Sequence, residues 1–167
     1  DEFLPNVYSV IQDYKIDTSL LEFELTESVF LNDLDAVNDS FRKLKSIGIM
    51  LSIDDFGTGY SSLRYLHHLD FDYLKIDRSF VQDLSDSERS KAIVKSIIDV
   101  GVNLGVKVVA EGIETETELQ YIAKSSCHIG QGYLFSPPLT EKQLHEFAIL
   151  NRYRIDKPFF SINGKNS

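Results

Sequence analysis

The 167 residues include a single cysteine, Cys127, which leaves no partner for a disulfide framework and no thiolate cluster for a soft metal. One thiol is consistent with a reducing compartment. Basic residues are also scarce: 17 Lys and Arg stand against 26 Asp and Glu, for a formal charge of −9. A DNA or RNA duplex needs a basic face, so neither is expected as a partner. An acidic chain is compatible with a site loaded with divalent ions. No apolar stretch approaches the ~18 residues of a membrane span, and no signal peptide is visible. The expectation is a cytoplasmic segment without membrane contact of its own, although other domains of a parent protein could anchor it. Low-complexity tracts and short-period repeats are missing as well. The sole methionine is Met50, so a chain starting at Asp1 is expected to lie inside a longer polypeptide.

What remains suffices for one compact domain, with 43% hydrophobic and 26% charged residues. Leu4, Val7, Tyr8, Ile11 and Tyr14 carry a helical spacing, and Pro5 fits a first turn. Leu20–Leu25 alternates like a strand and runs into Thr26-Glu27-Ser28. Leu34, Val37, Phe41 and Leu44 form a helical stripe closed by Gly48. The apolar run Ile49–Ile53 reads as a strand that stops at Asp54-Asp55, with a glycine loop and a short helix through Leu66 after it. Phe71–Asp77 reads as a third strand, and Ser85-x-x-Glu88 as a capping box opening a long helix that stops near Gly105. Val106–Ala110 is a fourth strand. Thr115-x-x-Glu118 opens another helix, Cys127–Ile129 is a short run leading to Gly130-Gln131-Gly132-Tyr133, and Thr140-x-x-Gln143 starts the last helix. Residues 151–167 read as a polar tail. Strand and helix alternate about five times, which predicts a parallel α/β sheet.

Polar groups fall at the carboxyl end of each strand in turn: Glu24 and Glu27, Asp54 and Asp55, Lys75 and Asp77, Glu111 and Glu114, then Gln131. Parallel α/β folds keep their chemistry at that edge, so these groups are expected to converge. Several carboxylates with one amide suit magnesium or manganese rather than zinc. An Asp-Asp pair can hold two ions that clamp an in-line phosphoryl displacement, with Lys75 neutralising developing charge. The pattern points to metal-assisted phosphodiester hydrolysis.

Each charge taken singly has a structural reading. An acidic residue after a strand often caps the next helix, and that reading is preferred for Glu27 and Glu114. Asp77 beside Arg78 reads as an ion pair or a cap, while Asp54-Asp55 is the strongest functional signal. His67-His68 lacks the i, i+4 spacing of a metal pair, and Cys127 reads as a small buried side chain. Asp55-Phe56-Gly57 matches a kinase triplet without the motifs that should accompany it. Thr58, Ser61 and Ser62 read as loop and cap residues.

Five stretches occur together and in order: Phe23-Glu24-Leu25-Thr26-Glu27-Ser28, Asp54-Asp55-Phe56-Gly57-Thr58-Gly59-Tyr60-Ser61-Ser62-Leu63, Leu74-Lys75-Ile76-Asp77, Val109-Ala110-Glu111-Gly112-Ile113-Glu114-Thr115 and Gly130-Gln131-Gly132-Tyr133-Leu134-Phe135. In these the chain resembles the EAL-domain cyclic-di-GMP phosphodiesterases of bacteria over Phe3 to Phe147. The resemblance implies a TIM-like (β/α) barrel that linearises cyclic-di-GMP to pGpG with Mg2+ or Mn2+, two ions in the intact domain. It implies Glu24 and Asp54 as metal ligands and Asp55 as holder of the second metal. Lys75 would contact the attacking water or phosphate, Glu111 would be ligand or general base, and Gln131 would orient water or a ligand. Glu27 would brace the loop after Asp55, which in this family links the metal site to a dimer interface.

The chain also departs from the family. The Glu-Ala-Leu strand that names it, and a following strand with an asparagine ligand, are missing. Five βα units fall short of the eight of a barrel of ~250 residues. Residues 1–150 are therefore expected to be the carboxy-terminal two-thirds of an EAL domain. Closure would need a homodimer, a completing partner chain or upstream residues. Pro137-Pro138 replaces a basic residue and a single proline. Two alternatives stand beside the enzyme: an inactive EAL-type module that binds the nucleotide or a protein, and a doubly wound receiver-like fold. In the latter the acidic pair should follow the first strand and the lysine the last.

Overall fold

The computed structural model describes residues 2–26, 29, 34–58 and 66–150. The expectations for Glu27, Ser61, Ser62, the short helix before Leu66 and the tail 151–167 lie outside those residues. Among the described residues five strands form one sheet: β1 (Glu22–Thr26), β2 (Met50–Phe56), β3 (Tyr73–Ile76), β4 (Lys107–Ala110) and β5 (Ile129–Gly130). Every pair is parallel and the spatial order is the chain order, β1-β2-β3-β4-β5. A doubly wound sheet reverses its order at a switch point, so the receiver-like alternative is excluded. Sequential parallel strands with helical returns are the construction of a (β/α) barrel, here with five units.

The helices are α1 (Phe3–Tyr14), α2 (Leu34–Ser46), α3 (Arg78–Gln82), α4 (Glu88–Leu104), α5 (Glu116–Lys124) and α6 (Glu141–Leu150). Side chains alternate across a strand, so each strand has two sets of residues. One set meets the helices: Leu51 and Ile53, Leu74 and Ile76, Val108 and Ala110 are buried with Phe41, Leu44, Val94 and Ile98. The helix α2 packs on β2, and α4 on β3 and β4. The other set carries Glu24, Ser52, Asp54 and Lys75, whose charged members are displayed at the carboxyl edge.

Several boundaries differ from the sequence reading: Leu20 closes a 3-10 turn instead of opening β1, and β3 is shorter than Phe71–Asp77. β2 does not stop at Ile53 but continues through Asp54 and Asp55 to Phe56, because a register shift against β3 between Ile53 and Phe56 absorbs the polar pair without ending the ladder. The cap of α4 is Ser87 rather than Ser85. Ser87 is extended and its side chain accepts from the Ser90 N–H, whereas Ser85 ends a 3-10 turn spanning Asp83–Ser85. By contrast the capping box at Thr115 is complete, with both reciprocal bonds to Glu118. Gly105 closes α4 in the left-handed conformation at φ 76°. Far from the carboxyl edge, Asp72 accepts from the Leu51 N–H at 2.9 Å and from Lys45 Nζ at 3.0 Å, fixing where β2 and β3 begin. Among the described residues no helix is long and apolar enough to cross a membrane.

Candidate functional site

Lys75 sits near the end of β3 with its side chain 8% exposed, and its ammonium is enclosed by three carboxylates from three other strand ends. Nζ lies 2.6 Å from Glu24 Oε1, 3.2 Å from Asp54 Oδ1 and 2.8 Å from Glu111 Oε1. The register accounts for this convergence, since β1 through β4 are adjacent and each contributes one inward residue near its end. Burial pulls the lysine pKa down, but hydrogen bonds and charge from Glu111, Glu24 and Asp54 outweigh it, so the pKa lies above the ordinary value. The ammonium is therefore a permanent charge.

Asp55 joins the same cluster for a different reason. Consecutive residues of a regular strand point to opposite faces, so an adjacent pair should not share a site. Asp55 has φ 54°, in the left-handed region that non-glycine residues enter rarely and Asp more readily than most. That conformation, at the register shift, turns the second carboxylate to the side of the first. The Asp55 N–H donates to Asp54 Oδ1 at 3.0 Å, while the Thr58 hydroxyl donates to the Asp55 carbonyl at 2.9 Å. Thr58 is thus a turn residue, as read from the sequence. Oxygen atoms of Asp54, Asp55 and Glu111 all lie within 4.8 Å of one another.

The electrostatics are unbalanced. Burial raises the Asp55 pKa, and the neighbouring charges of Asp54 and Asp77 raise it further against the pull of Lys75. Burial likewise raises Glu111 above the ordinary carboxylate range despite its contact with Lys75. Four carboxylates face one ammonium, which leaves negative charge that water alone compensates poorly. The donors are all carboxylate oxygens, and this set fits a hard divalent cation such as Mg2+ or Mn2+.

The remaining expected residues are placed less centrally. Asp77 caps α3, accepting from the Ser79 N–H at 3.0 Å, and its charge also bears on Asp55. Glu114 accepts from Gln82 Nε2 at 2.8 Å and braces the turn after β4 to α3. Gln131 follows β5 directly beside Glu111. Its N–H donates to the Ala110 carbonyl at 2.9 Å and its carbonyl accepts from the Ile113 N–H at 3.0 Å. Among the described residues no hydrogen bond joins its side chain to the carboxylates. Cys127 is largely buried, its thiol donating to the Val108 carbonyl at 3.3 Å, and burial raises its pKa. The sequence reading missed α3 and Gln82, since five residues are too few to show a period. The Asp77-x-Ser79 cap was the available signal.

The EAL domain model matches residues 1–138. The chain belongs to the EAL domain family. It is 44% identical over 143 residues to the cyclic di-GMP phosphodiesterase NbdA of Pseudomonas aeruginosa, a match that covers 86% of this chain and 18% of NbdA. The solved phosphodiesterase PaMucR, in complex with c-di-GMP, superposes with a TM-score of 0.82 at 38% identity, over 86% of this chain and 58% of that one. The manganese and cyclic-di-GMP complex of Klebsiella pneumoniae BlrP1 gives 0.73 at 32% identity, over 81% and 34%. The chain thus shares the TIM-like fold of the EAL structures, and it spans less than two thirds of each of these relatives.

Proposed function

We propose that this EAL segment carries most of the catalytic face of a metal-dependent phosphodiesterase that hydrolyses cyclic-di-GMP to pGpG, residues 1–150 being the carboxy-terminal two-thirds of the domain. The observation that carries the reading is the Lys75 ammonium held among Glu24, Asp54 and Glu111, with Asp55 turned into the same cluster. A phosphodiester brings negative charge to the site, which four carboxylates offset by a single ammonium would repel. Divalent ions held by Glu24, Asp54, Asp55 and Glu111 would reverse that sign, polarise the phosphate and lower the pKa of the attacking water.

The protein groups then divide the work. Lys75 keeps its proton and directs a fixed positive charge at the phosphoryl oxygens, where charge grows as water adds to phosphorus and the bond to the ribose 3′-oxygen breaks. Glu111 would be either a ligand of these ions or, where its carboxylate is not bound to one, the general base that takes the proton from the attacking water. Gln131, on the adjoining strand end, can orient water or a ligand with its amide. The 3′-oxygen takes up a proton from solvent as it leaves and the phosphate stays on the 5′ side, giving pGpG.

Release of pGpG from cyclic-di-GMP with Mn2+, followed chromatographically, tests this. Turnover lost in Glu111→Gln and Lys75→Met supports the assignment. Tight cyclic-di-GMP binding without turnover, alone and with a completing homodimer or partner chain, would replace it with the inactive binding module.

A further inference from the structure

The capping-box glutamate of α5 does more than cap a helix. Glu118 is 4% exposed, a buried carboxylate not ion-paired to any described residue. A capping box requires one bond, from the N-cap N–H, and Glu118 Oε2 accepts it from Thr115 at 2.9 Å. The same oxygen also reaches one residue farther back and accepts the Glu114 N–H at 2.7 Å, the shorter of the two. Thr115 and Glu114 end the turn that begins at Glu111. The start of that turn is tied to β3, with the Glu111 N–H donating to the Ile76 carbonyl at 3.2 Å.

Between these anchors the turn is interlocked with its neighbours. Gly112, at φ 71°, lies so close to α3 that a Cβ there would stand 2.4 Å from Arg78 Cβ. Ile113 is fully buried, and its backbone donates to the Gln131 carbonyl and accepts from the Leu134 N–H, both at 3.0 Å. Gly132 presses on Ile113 so tightly that a Cβ would lie 2.1 Å from its carbonyl oxygen. A displacement at Glu114 is therefore transmitted to Ile113, and from there to the turn bearing Gln131.

Resting on the roles given above to Glu111 and Gln131, we infer that Glu118 is a positioning residue for the reaction. By holding the turn after β4 at its far end, its carboxylate keeps Glu111 against Lys75 and sets the height of the neighbouring Gln131 turn. Groups hydrogen-bonded directly to metal ligands change metal affinity or activity by about 10–100-fold when removed, and Glu118, acting one turn farther out, is expected at the low end.

The test compares E118A, E118Q and T115A in the whole chain. T115A removes the other half of the box and weakens the helix start while leaving both N–H bonds to Glu118. Manganese titration calorimetry and a crystal structure of each protein are the readouts. E118A is expected to bind Mn2+ about tenfold more weakly and to open the 2.8 Å Lys75–Glu111 contact. E118Q keeps an acceptor oxygen and should recover most of the affinity, and T115A should stay near wild type although it melts lower. E118D, which keeps the charge but falls one methylene short, replaces E118A should that variant not fold. An intact Lys75–Glu111 contact, or unchanged Mn2+ affinity, in the shortened variants overturns the inference. Failure of the wild-type chain to bind Mn2+ would defeat the metal-dependent reading instead, and the crystallographic contact would still decide the role of Glu118.

Discussion

Replacing Lys75 with methionine isolates the electrostatic claim on which the site rests. The substitution keeps the aliphatic volume and removes the charge that Glu24, Asp54 and Glu111 share. Breaking a buried ion pair costs about 3–5 kcal/mol, because the abandoned charges stay desolvated. Here the burial is uneven: the lysine side chain is 8% exposed, Asp54 20% and Glu111 18%, but Glu24 is 49% exposed. Glu24 keeps much of its water, so the lower figure applies, roughly 3 kcal/mol. At about 2–4 °C per kcal/mol for a domain of this size, the metal-free variant should melt roughly 6–12 °C below wild type at pH 8. The pH dependence has a definite sign. Without the ammonium the carboxylates bind protons more readily folded than unfolded, so stability falls as pH rises and the deficit narrows toward pH 5. Calorimetric melting from pH 5 to 8 in a chelator reads both effects. Adding Mn2+ should narrow the deficit too and bind no more weakly than in wild type, since the ion and the ammonium compete for the same oxygens, while hydrolysis falls about 10²-fold or more. A variant that melts as high as wild type at pH 8, or whose deficit widens on acidification, would refute the reasoning.

Three further outcomes follow from the same geometry. Asp55→Asn keeps a residue suited to φ 54° and removes a charge beside Asp54 and Asp77, so it should raise the metal-free melting temperature while weakening Mn2+ binding; Asp55→Val adds backbone strain and should melt lower than Asp55→Asn. Because Asp55 and Glu111 hold protons above the ordinary carboxylate range, the folded state binds more protons than the unfolded one in the window rising from about pH 4. Stability without metal should therefore decline as pH rises through that window, and Mn2+ should stabilise more at pH 8 than at pH 5 and release protons on binding, readable by calorimetry in buffers of different ionisation enthalpy. Gly132→Ala should lower stability by at least the 1–3 kcal/mol typical of overpacking, since its Cβ would meet the Ile113 backbone. Gly105→Ala, with φ 76° but open space around the Cβ, should cost only about 1–2 kcal/mol of backbone strain, and equal melting shifts for the two would contradict the interlocked turns.

The residues around Lys75 were legible because strand ends in a parallel sheet are predictable from composition alone. Apolar runs ended in Glu24, Asp54, Lys75 and Glu111, and a sequential parallel order brings such ends together without any further assumption. Strand order itself was not legible, since alternating strand and helix fits a barrel and a doubly wound sheet equally. A local hint existed in β1 and β3, where Glu22, Glu24, Tyr73 and Lys75 alternate with apolar residues. Strands buried by helices on both faces read instead as continuous apolar runs. The cap of α4 was misplaced for a similar reason. Ser85 and Ser87 both precede the helical stripe, and only the 3-10 turn Asp83–Ser85 tells which of them is extended.

Asp55 shows where sequence patterning must fail at a site of this kind. Read as a regular strand residue, it would direct its carboxylate away from Asp54 and into the layer that holds Ile97, Ile98 and Phe56, an unpaired charge among apolar side chains. The apolar run therefore seemed to end at Ile53, since nothing in the letters shows an aspartate in the left-handed conformation. The chain pays for the extra turn with one strained non-glycine residue and a broken register, and the result is two adjacent carboxylates on one side of the sheet. Local regularity and a clustered acidic site cannot both hold at this position. The same departure that displaced the predicted strand boundary is what allows Asp54, Asp55 and Glu111 to come within reach of a common ion.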